Sequence, residues 1–92
     1  MDAELRMDLV IEGIVQGVGY RYSAKIKAES LGIKGNVQNK LDGSVFVTAQ
    51  GEKEAMVNFL NWCYIGPPGA IVRKIDKIHG KIEAFSEFKI LY

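Results

Sequence analysis

Residues 13–21, Gly-Ile-Val-Gln-Gly-Val-Gly-Tyr-Arg, constrain this chain more than any other stretch. An apolar run at residues 9–11 leads into it, and a helical pattern at residues 20–31 leads out. Gly17, Gly19 and Arg21 therefore fall at a strand-to-helix joint. Glycine there lets the main chain turn its N–H groups inward, with no side chain in the way. The positive end of the following helix points at the same spot. Arg21 adds a planar fork of donors that matches phosphate oxygens in pairs. The physical reading is a small anion cradle suited to a phosphoryl group. It is not a Walker loop, because no Gly-Lys-Ser/Thr follows. It is not a dinucleotide fingerprint, because the third glycine is missing. The competing reading is a turn whose glycines only let a helix pack close to a sheet, with Arg21 solvated.

Composition narrows the classes. The 92 residues fit one domain, 1–92, and 48% are apolar, enough for a two-layer core. The net charge of +1, with acids and bases interspersed, argues against broad attraction to nucleic acid or to a membrane surface. Cys63 is the only cysteine, which excludes an internal disulfide and a thiolate metal site and fits a reducing compartment. The charged N-terminus lacks an apolar signal core, and no apolar run approaches the ~20 residues of a membrane span. A soluble, cytoplasmic protein is expected.

Periodicity orders the elements. Residues 1–6 read as a frayed lead-in and 7–15 as a strand with Leu9 and Ile11 on one face. Tyr20, Ala24, Ala28 and Leu31 form the buried stripe of a first helix, which Tyr22 and Ile26 would widen. Gly32 is placed for a left-handed cap. Residues 33–38 alternate as a second strand that Asn39 ends, and Asp42-Gly43 signals a hairpin, both residues tolerating positive φ. Residues 44–50 return as a third strand, which Gly51 is expected to break. Met56, Phe59, Leu60 and Cys63 mark a second amphipathic helix that Gly66-Pro67-Pro68-Gly69 ends. A fourth strand at 71–78 alternates imperfectly, as a bulge would explain, and a short edge strand follows at 86–91. The order is β-α-β-β-α-β plus a short C-terminal strand. It predicts an α+β, ferredoxin-like α/β sandwich, an antiparallel sheet with two helices on one face.

The run 13–21, then Gly35-Asn36-Val37-Gln38-Asn39 and Asp42-Gly43, then Gly66-Pro67-Pro68-Gly69-Ala70, resembles the acylphosphatase family in order and over nearly the whole chain. One departure is Asn36, where the family often carries an aromatic in Gly-Trp-Val. The resemblance implies hydrolysis of the carboxyl–phosphate bond of acyl phosphates. It implies that Arg21 and the backbone N–H groups of Gln16, Gly17, Val18, Gly19, Tyr20 and Arg21 bind the phosphate. It implies that Asn39 holds the attacking water. It implies a small-molecule substrate, no cofactor, and a monomer.

The chemistry is consistent with these residue types. A carboxylate leaves at neutral pH without a proton, so no strong general acid is required. Phosphoryl transfer is mostly positioning and charge stabilisation. Asn39 cannot act as a base, but its amide can orient water. Taken alone, Asn39 could simply start the hairpin turn. His79, the lone histidine, reads as a strand-end side chain, and Cys63 as core. No spacing suits a metal. Two other functions share these features. One is an anion-binding regulatory module without turnover. The other is RNA binding, since RNA-recognition domains have this fold; Phe46 alone among the central strands and the near-neutral charge argue against it.

Overall fold

A computed structural model describes residues 3–92 of the chain. Its elements are β1 (Glu4–Ile14), α1 (Tyr20–Ser30), β2 (Lys34–Asn39), β3 (Val45–Glu52), α2 (Lys53–Ile65), β4 (Ile71–Gly80) and β5 (Phe88–Leu91). They build one five-stranded sheet in the order β4-β1-β3-β2-β5. The inward face of each strand follows the period of two: Met7, Leu9 and Ile11 on β1, and Val45, Val47 and Ala49 on β3, are buried. Tyr20, Ala24 and Ala28 of α1 and Met56, Phe59 and Cys63 of α2 close the same core. Phe59 lies at its centre, stacked on Trp62 at 6.2 Å and edge-on to Phe88 at 6.1 Å.

The sheet is mixed, which corrects the expectation of an antiparallel one. Four strands are antiparallel neighbours, but β5 runs parallel to β2, pairing Gly35 with Phe88 and Gln38 with Leu91. The cause is the connection. β4 and β5 are opposite edges, so residues 81–87 cross the whole sheet before β5 begins. The outward side of β3 holds that crossing in place. Buried Gln50 donates to the Glu83 carbonyl at 2.7 Å and accepts the Glu83 N–H at 2.9 Å. Arg6 adds ion pairs to Asp8 and Glu83 and lies over the Phe85 ring.

Other expectations also shift. Residues 1–2 of the lead-in lie outside the described residues, while Glu4 to Arg6 extend β1 and pair with Glu52 to Gln50. Gly51 does not break β3. It pairs with Leu5, and the missing side chain makes room for Ile33, whose Cγ1 would lie 3.0 Å from a Cβ at position 51. Tyr22 and Ile26 are 64% and 49% exposed, so they do not widen the α1 stripe. The stripe is narrow because α1 packs on β2 and β5 through its alanines. In the hairpin only Gly43 takes positive φ; Asp42 instead accepts hydrogen bonds from the N–H and hydroxyl of Ser44. The expected bulge is present: Glu12 pairs with Lys74 and Gly13 with Val72, leaving Arg73 as the extra residue of β4.

Removing the Gln50 carboxamide deletes both hydrogen bonds to the main chain of Glu83. Gln50→Ala is expected to cost about 1–3 kcal/mol, read as a lower denaturant midpoint with unchanged slope. A midpoint equal to that of the unsubstituted protein would show that the crossing is held by other contacts.

Candidate active site

The topology decides where the polar residues meet. β1 and β2 each run antiparallel to β3, so they run parallel to one another, and β5 runs parallel to β2. Three strands therefore end on one rim. Val45 of β3 is the shared rung, paired with Ile11 on one side and Asn39 on the other. That places Asn39 two strand spacings, about 10 Å, from β1. Leu91 pairs with Gln38, so Tyr92 follows at the level of Asn39.

Between β1 and α1 the chain turns through two left-handed glycines, Gly17 at φ 77° and Gly19 at φ 78°. A residue with a side chain would be strained there by about 1–2 kcal/mol. Gly19 is also the N-cap of α1, so no side chain caps the helix, and no acid occupies its first turn. Among the described residues, no atom accepts a hydrogen bond from the main-chain N–H groups of 16–22. Ser23 is the first to close the helix, donating to Gly19 at 3.0 Å. The turn thus presents free donors at the positive end of a helix.

Both ends of the turn are fixed in the core. Val15 is 1% exposed and Tyr20 2%. The Tyr20 hydroxyl donates to the Cys63 carbonyl at 2.7 Å, and its ring lies 5.5 Å from that of Trp62. Burial, and then the neighbouring Cys63, push the Tyr20 hydroxyl far above its ordinary value, so it stays a proton donor. In the middle, the Gln16 carboxamide donates to the carbonyls of Lys40 (2.8 Å) and Ser44 (2.9 Å), tying the turn to the β2–β3 hairpin.

A cavity of about 220 Å³ opens on this rim. Gly17, Gly19, Tyr20, Arg21 and Asn39 line it, with Val15, Tyr22, Ile90 and Tyr92. Arg21 and Asn39, distant in sequence, share its wall. Gln16 and Val18 are not among the lining residues: the Gln16 side chain is spent on the hairpin, and Val18 packs against the core. The Asn39 carboxamide makes no hydrogen bond among the described residues. Arg21 reaches the Leu91 carbonyl at 3.4 Å and lies 5.0 Å from the Tyr92 ring centre. The C-terminal contribution was invisible in the sequence, because nothing there gives the direction of the last strand. The Gln16 tie also escaped, since only its N–H had a reading.

The remaining candidates lie elsewhere. His79 is exposed near the far end of β4, paired with Met7, at the opposite rim of the sheet. Phe46 faces outward under the Lys40 ammonium. Among the described residues, no group of three or more His, Cys, Asp or Glu could hold a metal ion.

Known proteins resemble this chain over nearly its whole length. The Acylphosphatase family model matches residues 7–90. An acylphosphatase of Thermotoga maritima is 46% identical over 82 residues, 89% of this chain and 91% of its own. The structure of an acylphosphatase from Coxiella burnetii superposes with a TM-score of 0.92 at 33% identity, covering 96% of this chain and 93% of the other. That of Bacillus subtilis gives 0.93 at 31%, covering 96% and 99%.

Cys63 stands beside the Tyr20 anchor but takes no part in the cavity. Burial pushes its thiol up to about 12. At pH 8 only about 10⁻⁴ of it is thiolate. The folded protein is expected to leave an aromatic disulfide reagent unreacted at pH 8, and to consume one equivalent in denaturant. Fast reaction of the folded protein would contradict the packing described.

Proposed function

This chain belongs to the acylphosphatase family, and from that membership we propose that it hydrolyses the carboxyl–phosphate bond of acyl phosphates. The observation that carries the reading is Arg21, the glycine turn and Asn39 lining one cavity. The N–H groups of Gln16 through Arg21 and the Arg21 guanidinium hold the phosphoryl dianion. The Asn39 carboxamide holds a water in line with the leaving oxygen. A water fills about 30 Å³, so the cavity has room for it beside a phosphoryl group.

In the reaction the water oxygen bonds to phosphorus as the bond from phosphorus to the acyl oxygen breaks. The electron pair leaves on the carboxylate. The proton released by the water passes to a phosphate oxygen. Charge grows on the equatorial oxygens, where preformed donors lower the barrier most. No acid or base side chain is needed, which fits a cavity whose polar side chains are an arginine, an amide and tyrosines. The substrate is a small molecule, and the chain works as one domain, 1–92, as a monomer in the cytoplasm, without nucleic acid or cofactor. No helix among the described residues is long and apolar enough to cross a membrane.

Phosphate release from acetyl phosphate and benzoyl phosphate tests this. Asn39→Ala is expected to lower kcat by about 100- to 1,000-fold with KM little changed. Arg21→Gln is expected to act mainly on KM. Release no faster than that of an Arg21→Gln, Asn39→Ala double variant would overturn the hydrolase reading.

A further inference from the structure

Two structures must keep a fixed separation for in-line attack: the turn that holds phosphorus and the strand end that holds water. They belong to β1 and β2, which do not touch, because β3 lies between them. Through the sheet they are linked only by way of β3, whose Val45 pairs with both Ile11 and Asn39. The turn is anchored by buried Val15 and Tyr20. The hairpin closes on itself, Lys40 N–H donating to Ser44 at 2.9 Å, Gly43 N–H to Lys40 at 3.2 Å, and Ser44 to the Asp42 carboxylate. Among the described residues, the hydrogen bonds that join one to the other are the two from the Gln16 carboxamide. Its two N–H donors meet the carbonyls of Lys40 and Ser44, the residues that flank the hairpin tip just beyond Asn39.

We propose that the Gln16 side chain is a positioning residue that sets the distance between the phosphate cradle and Asn39. This rests on the hydrolase reading and assigns Gln16 a task separate from that of its own N–H. The side chain does not line the cavity. It acts on turnover through the placement of Asn39. Without it each half keeps its own anchors and the ladder through β3, so the loss falls on the placement of the turn against the hairpin tip. A misplacement of ~1 Å in such a reaction costs about 100-fold in rate.

Two variants separate positioning from folding. Gln16→Met keeps the length and removes the donors. Gln16→Glu keeps the shape but turns a carboxylate toward two carbonyl oxygens. With acetyl phosphate, both are expected to lower kcat by about 10- to 100-fold, while KM and competitive inhibition by inorganic phosphate stay within about twofold. Thermal midpoints, read in parallel, are expected to fall by no more than two partly exposed hydrogen bonds account for. Unchanged kcat in Gln16→Met beside an active unsubstituted enzyme would overturn the positioning role alone. So would a parallel loss of phosphate affinity, which would place the side chain's effect in the cradle. An unsubstituted protein that releases no phosphate would overturn the hydrolase reading together with this one.

Discussion

Main-chain N–H groups that find no acceptor inside the protein are costly wherever water cannot reach them. Here the N–H groups of 16–22 find no acceptor among the described residues, and Gly17 and residues 19–22 of that set line a cavity open to water at one helix N-terminus. A helix built for stability alone would end in a Ser, Thr or Asp cap, worth about 0.5–2 kcal/mol. This one begins at a glycine in the left-handed region, with no cap and no acid. The donors are kept free, and the surrounding structure holds them so. Val15 and Tyr20 clamp the two ends of the turn, and Tyr20 is itself locked to α2 through Cys63 and Trp62.

The second constraint is directional. A sheet in which β1, β2 and β5 point the same way delivers three chain ends to one rim. β1 delivers the cradle, β2 delivers Asn39, and β5 delivers Leu91 and Tyr92 against Arg21. The guanidinium is therefore steered from two sides, by a carbonyl and an aromatic face. Preorganisation of this kind lets fixed dipoles stabilise developing charge without rearrangement at the moment of reaction.

Much of this was legible in the residues. The period-two and helical patterns placed all seven elements, and the glycines before Arg21 marked the turn between β1 and α1. Three features were not legible, each for a physical reason. The direction of β5 depends on a crossing that Gln50 and Arg6 pin through tertiary contacts, and a four-residue strand carries no sign of its partner. Gly51 looked like a breaker because glycine weakens a strand in general, yet here the space it leaves is filled by Ile33. Tyr22 and Ile26 had helical spacing, but α1 meets the sheet through small residues, so its buried stripe is too narrow to take them. Spacing identifies residues that can share a face, and the width of the face is set by the partner.

The central claim is that free amides and one guanidinium grip a phosphoryl dianion. Titration with inorganic phosphate, followed by backbone-amide nuclear magnetic resonance, tests it directly. Saturable shifts confined to Gln16, Gly17, Val18, Gly19, Tyr20 and Arg21 and to the Arg21 side chain, and abolished in Arg21→Gln, are the expected result. Phosphate that leaves these resonances unmoved, or shifts that survive in Arg21→Gln, would contradict the account.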